Sequence, residues 1–197
     1  MKKKILLSLL FLLPLGLAAQ KWNDARYLRG AVPVNAQGVV CFTETIDVPG
    51  KRAPELLTAL RRYAEEKLLA GPDVVREGCR IIDDEADGGT FAVRMDEYLY
   101  FKRTAWVLHR TRFLYDLIFH VSDGSVRVEM QRLRYLYNPQ EVEGAEPERR
   151  SAEDWITDAA ALSPKGRLLK KTRQFRVFTI DRKDQIFRDL RAALLSI

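Results

Sequence analysis

The stretch TRFLYDLIFHVSDGSVRVEMQRLRYLY, residues 111–137, holds two alternating runs on either side of Asp123-Gly124. Asp-Gly between such runs predicts a two-residue type I′ turn, in which both central positions take positive φ. A two-residue loop fixes the register. Val121 then faces Val126, Phe119 faces Val128 and Leu117 faces Met130, all apolar pairs. One position over, His120 faces Arg127, Ile118 faces Glu129 and Asp116 faces Gln131, a mostly polar set. A slip of one residue would exchange the two faces, so turn and pattern specify one hairpin with one buried side.

Working outward, Val40, Phe42, Ile46 and Val48 alternate with Cys41, Thr43, Thr45 and Asp47, a half-buried strand ended by Pro49-Gly50. A helix starts near Ala53 with Pro54 in its first turn, where a missing N–H costs nothing. Leu56, Leu57, Leu60, Tyr63, Ala64 and Leu68 share one face, and Gly71-Pro72 stops it. Cys79 to Asp83 reads as a short strand, and Phe91, Val93 and Met95 mark the next. Between 96 and 108 the alternation blurs, which predicts a bulge or an irregular stretch. Residues 141–151 form an acidic, solvated loop, followed by a short helix over 152–162 capped by Ser151. A basic segment, 165–176, leads to a final helix from near Asp181, with Ile186, Phe187, Leu190, Ala193, Leu194 and Ile197 on one face.

The order is β-α-β-β-β-β-α, an α+β fold whose antiparallel sheet carries its helices on one face. The domain plan is a leader over 20–37, a core over 38–140, the acidic loop 141–151 and a helical extension, 152–197, that completes the domain.

At the N-terminus, Lys2, Lys3 and Lys4 precede an apolar run from Ile5 to Leu13, then Pro14, Gly16 and the small residues Ala18 and Ala19. That order is the pattern of a secretory signal peptide over 1–19, cleaved near Ala19. Its apolar run is shorter than the roughly 20 residues of a spanning helix. No cysteine stands at the junction for lipid attachment. The expectation is an exported protein, periplasmic or secreted, and not integral to the membrane after cleavage. The net charge of +6 includes the three signal lysines, so the remaining chain carries +3, from 30 basic and 27 acidic residues. Export permits a disulfide between Cys41 and Cys79; the alternative is two small residues on strand faces.

Several of these stretches resemble one bacterial family. Tyr27-Leu28-Arg29-Gly30-Ala31-Val32-Pro33-Val34 leading into Val39-Val40-Cys41-Phe42 carries the likeness, as does Val48-Pro49-Gly50 before a helix. The Asp123-Gly124 hairpin followed by Arg132-Leu133-Arg134-Tyr135 and the run from Phe175 to Asp184 add to it. The family is domain of unknown function 4468, exported, with a TBP-like fold and found largely in Bacteroidota. The resemblance implies a curved sheet with helices on one side and brings no activity. The acidic insert at 141–150 departs from it. TBP binds DNA with a tandem pair of such units, but fold analogy does not carry function. One exported unit is not expected to bind nucleic acid.

No catalytic or metal constellation stands out. The two histidines, His109 and His120, have no second ligand at short spacing. Asp116 lies four residues from His120 along a strand, roughly 13 Å away. Ser122 and Ser125 belong to a turn, and Asp83, Asp84, Glu85 and Asp87 lack the spacing of an EF-hand loop. The reading is therefore no enzyme, no metal and no cofactor, but an interaction module of the cell envelope. Its partner would be an envelope protein or lipid, met through an open sheet face or through Lys165, Arg167, Lys170, Lys171, Arg173 and Arg176. Tyr98, Tyr100, Tyr135 and Tyr137 would lie near that polar face. The alternative is a small hydrophobic-ligand binder with a pocket between sheet and C-terminal helix, lined by Phe113, Leu117, Phe119, Phe187 and Leu190. A hydrolase ranks behind both.

Overall fold

In the computed structural model, which describes residues 22–83, 89–138 and 146–197, the central hairpin pairs in the register its alternation predicts. β4 (Leu108–Ser122) and β5 (Ser125–Tyr137) place Val121 on Val126, Phe119 on Val128 and Leu117 on Met130. The expected signal segment, the acidic turn at 84–87 and residues 141–145 of the acidic loop lie outside the described residues.

The turn itself differs from expectation. Gly124 takes φ +74°, but Asp123 stays out of the positive-φ region, so the type I′ form does not occur. Tertiary bonds explain the difference. The Gly124 carbonyl accepts the Val48 N–H, its N–H donates to Lys51, and the Asp123 carboxylate accepts the Ala53 N–H at 2.7 Å. Asp123 thus serves as a cap, donated from a distant hairpin, for α1 (Ala53–Tyr63), which continues as a π turn over Ala64–Leu68. Leu56, Leu60, Ala64 and Leu68 are its buried residues.

Halfway along β5 the buried side changes parity. Two residues, Arg132 and Leu133, stand opposite Tyr115 alone, and Arg132 takes φ +57°. This β-bulge moves the core from Val126, Val128 and Met130 to Leu133 and Tyr135. Tyr135 is therefore fully buried, stacked on Phe113 at 5.3 Å, and not on the polar face as expected. Tyr137 turns to the same side, edge-on to Phe175 at 5.1 Å.

β1 (Cys41–Asp47) pairs with the first half of β5, and β6 (Glu148–Ser151) pairs with the second half beyond the bulge. β6 replaces the end of the expected acidic loop with a strand. On the other side follow β3 (Thr90–Arg103) and β2 (Arg80–Asp83), giving the order β1-β5-β4-β3-β2. β3 runs straight through the region where the alternation blurs, with one irregularity between Tyr100 and Lys102.

The helical half also begins earlier than predicted. α2 (Ala152–Trp155) and α3 (Asp158–Ala161) are short, and α4 (Arg173–Leu195) starts eight residues before Asp181. Its first turns bury Phe175, Val177 and Ile180, and Phe175 meets Trp155 at 4.4 Å. Its later turns bury Ile186, Phe187, Leu190 and Leu194. α1 and α4 cover the same sheet face, where Phe42, Val93, Leu117 and Val128 join one core. β3 and β4 are tied to α4 by a buried cluster in which Glu97 accepts two bonds from Arg182 and one from Tyr115, each at 2.8 Å. Burial pulls the Arg182 guanidinium pKa down, but the hydrogen bond and charge of Glu97 outweigh it and raise it overall.

The leader is irregular yet packed. Tyr27 is fully buried, and its hydroxyl donates to Asp181 at 2.6 Å. Gly30 N–H donates to Asp158, and Arg176 donates to the carbonyls of Tyr27, Leu28 and Ile156.

Candidate functional site

Strand alternation puts every second residue on the sheet face away from the helices. The register brings together Arg80 on β2, Arg94 on β3, Arg110 and Arg112 on β4, Arg127 and Arg134 on β5 and Arg149 on β6. Arg132, turned outward by the bulge, joins them. Against them stand Asp47, Asp96, Asp116 and Glu129, so arginines outnumber carboxylates about two to one on this face.

Two of the acids are buried beneath arginines. Asp116 accepts a bidentate pair from Arg94 at 2.9 and 3.1 Å and a third bond from Arg132 at 3.2 Å. Asp96 takes Arg112 in the same forked manner, with Nε at 3.0 Å. The Asp116 hydrogen bond raises the Arg94 pKa, and the Asp96 hydrogen bond does the same for Arg112 despite burial. Arg127 leans on Glu129 at 3.0 Å. Arg80, Arg134 and Arg149 are exposed and have no ion-pair partner among the described residues. A guanidinium fork left in this way suits a carboxylate or phosphate from outside.

The face also has relief. Tyr98, Arg110, Arg112, Leu136 and Asn138 line a hollow of about 280 Å³. The Arg110 guanidinium lies 3.9 Å above the Tyr98 ring, a cation–π arrangement. Tyr98 and Tyr100 accordingly sit on the polar face, as expected, while Tyr135 and Tyr137 do not.

The other sequence candidates fare differently. Lys165, Arg167, Lys170 and Lys171 are exposed on the loop before α4. Arg173 is half-buried, its guanidinium 4.6 Å from the Trp22 ring. Arg176 is 0% exposed and is withdrawn from that set, because it satisfies backbone carbonyls and Asp158 in the interior. Burial lowers its pKa, partly offset by Asp158.

Phe113, Leu117, Phe119, Phe187 and Leu190 are all buried in the core. Phe91 stacks on Phe119 at 4.8 Å and Tyr115 meets Phe113 at 4.8 Å. A groove of about 490 Å³ lies between the end of α1 and α4 and is lined by Tyr63, Lys67, Arg182, Gln185 and Asp189 among others. Leu190 also lines a neighbouring hollow of about 200 Å³.

Cys41 and Cys79 are unpaired. They belong to opposite edges of the sheet, about 19 Å apart at four strand spacings, far beyond disulfide reach. His109 faces the Tyr137 hydroxyl at 2.9 Å, and His120 lies 3.9 Å from Glu129. Among the described residues no cluster of His, Cys, Asp and Glu could hold a metal ion, and no helix is long and apolar enough to cross a membrane.

The arginine face escaped the sequence reading because it needs the register of five strands at once. One local signal was present: Arg110 and Arg112 flank Thr111 just before Phe113, and Arg127 stands between Val126 and Val128.

The family model described as "Domain of unknown function (DUF4468) with TBP-like fold" matches residues 42–136. The chain is similar to the crystal structure of a DUF4468 family protein from Bacteroides ovatus, with 31% identity and a TM-score of 0.73, covering 87% of this chain and 95% of that one. It also resembles a TBP-like protein from Parabacteroides distasonis, with 18% identity and a TM-score of 0.66, covering 83% and 96% respectively. At that identity the second likeness speaks for the fold alone. No curated protein matches the chain.

Proposed function

The chain belongs to the DUF4468 family and has its TBP-like fold, and from that premise we propose a non-enzymatic binding module of the cell envelope whose arginine-rich sheet face receives an anionic partner. The observation that carries this reading is the set of outward guanidinium groups at Arg80, Arg134 and Arg149, beside a row of arginines already held by Asp96 and Asp116. Fixed, partly neutralised arginines present forks at set spacing, a surface suited to carboxylate or phosphate groups. Export is part of the proposal and is supported by Lys2–Lys4, the apolar run to Leu13 and the small residues before Gln20.

The test compares capture from the native envelope by the wild-type chain and by the triple variant Arg80→Glu, Arg134→Glu, Arg149→Glu. An acidic protein or phosphate-bearing glycolipid recovered by the first and lost by the second supports the reading. Identical recoveries from both, with both folded, overturn it. Residue 20 at the N-terminus of the envelope form checks export, and an unprocessed chain in the cytoplasm would refute it.

A further inference from the structure

The apex of the β3–β4 hairpin carries the most exposed large apolar side chain among the described residues. Trp106 is 93% exposed, and its neighbours Val107 and Leu108 are 40% and 42% exposed. The exposure is held in place by the turn. Thr104 N–H donates to the Val107 carbonyl at 2.9 Å, and Val107 N–H donates to the Thr104 hydroxyl at 3.0 Å. The loop is thereby closed beneath Trp106 and leaves the indole at the tip.

The tip also projects. β5 pairs with β4 no further than Arg112 opposite Leu136, whereas β3 and β4 continue through Tyr100–Arg110, Lys102–His109 and Arg103–Leu108. Those last rungs form a two-stranded ribbon that extends roughly 10 Å past the neighbouring strand. From Tyr98 to Tyr115 the sequence holds Lys102, Arg103, Arg110 and Arg112 and no Asp or Glu. Asp73, from the loop before β2, reaches Arg103 at 3.4 Å with both side chains exposed. Arg103 and Arg110 lie over the Tyr100 and Tyr98 rings, which keeps their charges close behind the apex.

We propose that this apex docks on an anionic bilayer surface, with Trp106, Val107 and Leu108 in the headgroup–acyl boundary and Lys102, Arg103 and Arg110 at the lipid phosphates. Tryptophan favours that boundary because its ring is apolar and its N–H is polar. The cationic collar, whose Arg103 meets one exposed carboxylate at Asp73, supplies charge complementarity with anionic headgroups, which attract each nearby Lys or Arg. Apolar side chains clustered in water and rimmed by polar groups are the kind of patch that marks an interaction site. The inference uses the tip and shares with the sheet-face reading only Arg110, which neither the triple sheet-face variant nor the apex variants below alter.

The experiment is vesicle flotation of the chain from Gln20 onward, which keeps every core residue of the described structure. Vesicles of phosphatidylcholine alone are compared with vesicles containing phosphatidylglycerol. Binding is expected to the anionic vesicles, with quenching of tryptophan emission by brominated lipid. Trp106→Ala should lower the partition coefficient about tenfold and abolish the quenching, with an unchanged denaturation midpoint because the side chain is exposed. Lys102→Gln with Arg103→Gln should lower it about fivefold per cation removed. The triple sheet-face variant should retain lipid quenching of Trp106, which separates failure here from failure of the proposed function. No binding to either vesicle, or binding indifferent to Trp106, overturns the proposal. So does Trp106-dependent self-association without lipid binding, which would make the apex a protein contact.

Discussion

The carbonyl of Tyr27 accepts the Nε–H of Arg176 at 2.6 Å, joining residues 149 positions apart. The same guanidinium holds Leu28, Ile156 and Asp158 and has no exposure to water. Removing one partner from a buried charged network leaves the others unsatisfied, at about 3–5 kcal/mol. Arg176→Met should therefore lower stability in urea by that order and loosen the leader to proteolysis. A loss below about 1 kcal/mol, the worth of an exposed pair, would contradict the buried role.

Glu97, Arg182 and Tyr115 offer a second test of buried charge. Glu97→Leu alone should cost about 3–5 kcal/mol, because Arg182 and the Tyr115 hydroxyl lose their acceptor. The combination Glu97→Leu, Arg182→Met, Tyr115→Phe should recover most of that loss, since apolar replacement of a whole buried polar set is often neutral. Equal destabilisation of the single and triple variants in chemical denaturation would count against the assignment.

Alkaline pH should unfold the protein through its tyrosines. Burial raises the pKa of Tyr27, Tyr115 and Tyr135, and with the nearby Asp189 pushes Tyr63 up to about 12. A folded value above the unfolded one means the native state holds the proton more tightly. The resulting stability is complete below pH about 10 and is lost as pH climbs through the folded values. Denaturation midpoints should fall between pH 10 and 12, and Tyr63→Phe should shallow that fall. Tyrosinate absorbance of all seven tyrosines developing near pH 10 in the folded protein would refute this.

The bulge at Arg132 is tested by comparing deletion with substitution. Deleting Arg132 would restore regular alternation, with Leu133 opposite Tyr115 and Tyr135 opposite Phe113 still turned to the core, so the variant should fold. Arg132→Gly should change stability by less than about 1 kcal/mol. Glycine relieves the left-handed backbone, and the exposed link to Asp116 contributes little. Loss of native-like dichroism in the deletion variant would show that the bulge does more than set which side of β5 faces the core.

What the sequence made legible follows physical lines. The register from Asp116 to Gln131 was readable because pairing across a short turn keeps apolar partners together. It became unreadable at Arg132, where one extra residue reverses the sides and nothing local marks it. The start of α4 was hidden because a run of cations resembles a solvated connector. Arg176 looked like another surface charge, yet its partners come from Tyr27 and Ile156, distant in sequence. The open face emerged only when strands far apart in the chain were laid side by side, and Trp106 lay in the region without clear alternation.

The strand order has a consequence for how the chain reaches this structure. β2 to β5 form a meander of sequential neighbours, whereas β1 waits for β5, some eighty residues later in register. Loop closure favours the local pairings first. The meander is thus the segment that can nucleate, with β1 added at its edge and the leader fastened last, when α4 exists to receive it. An N-terminal fragment ending before residue 173 would leave Tyr27 and Leu28 without their clasp, and completion is reserved for the whole chain.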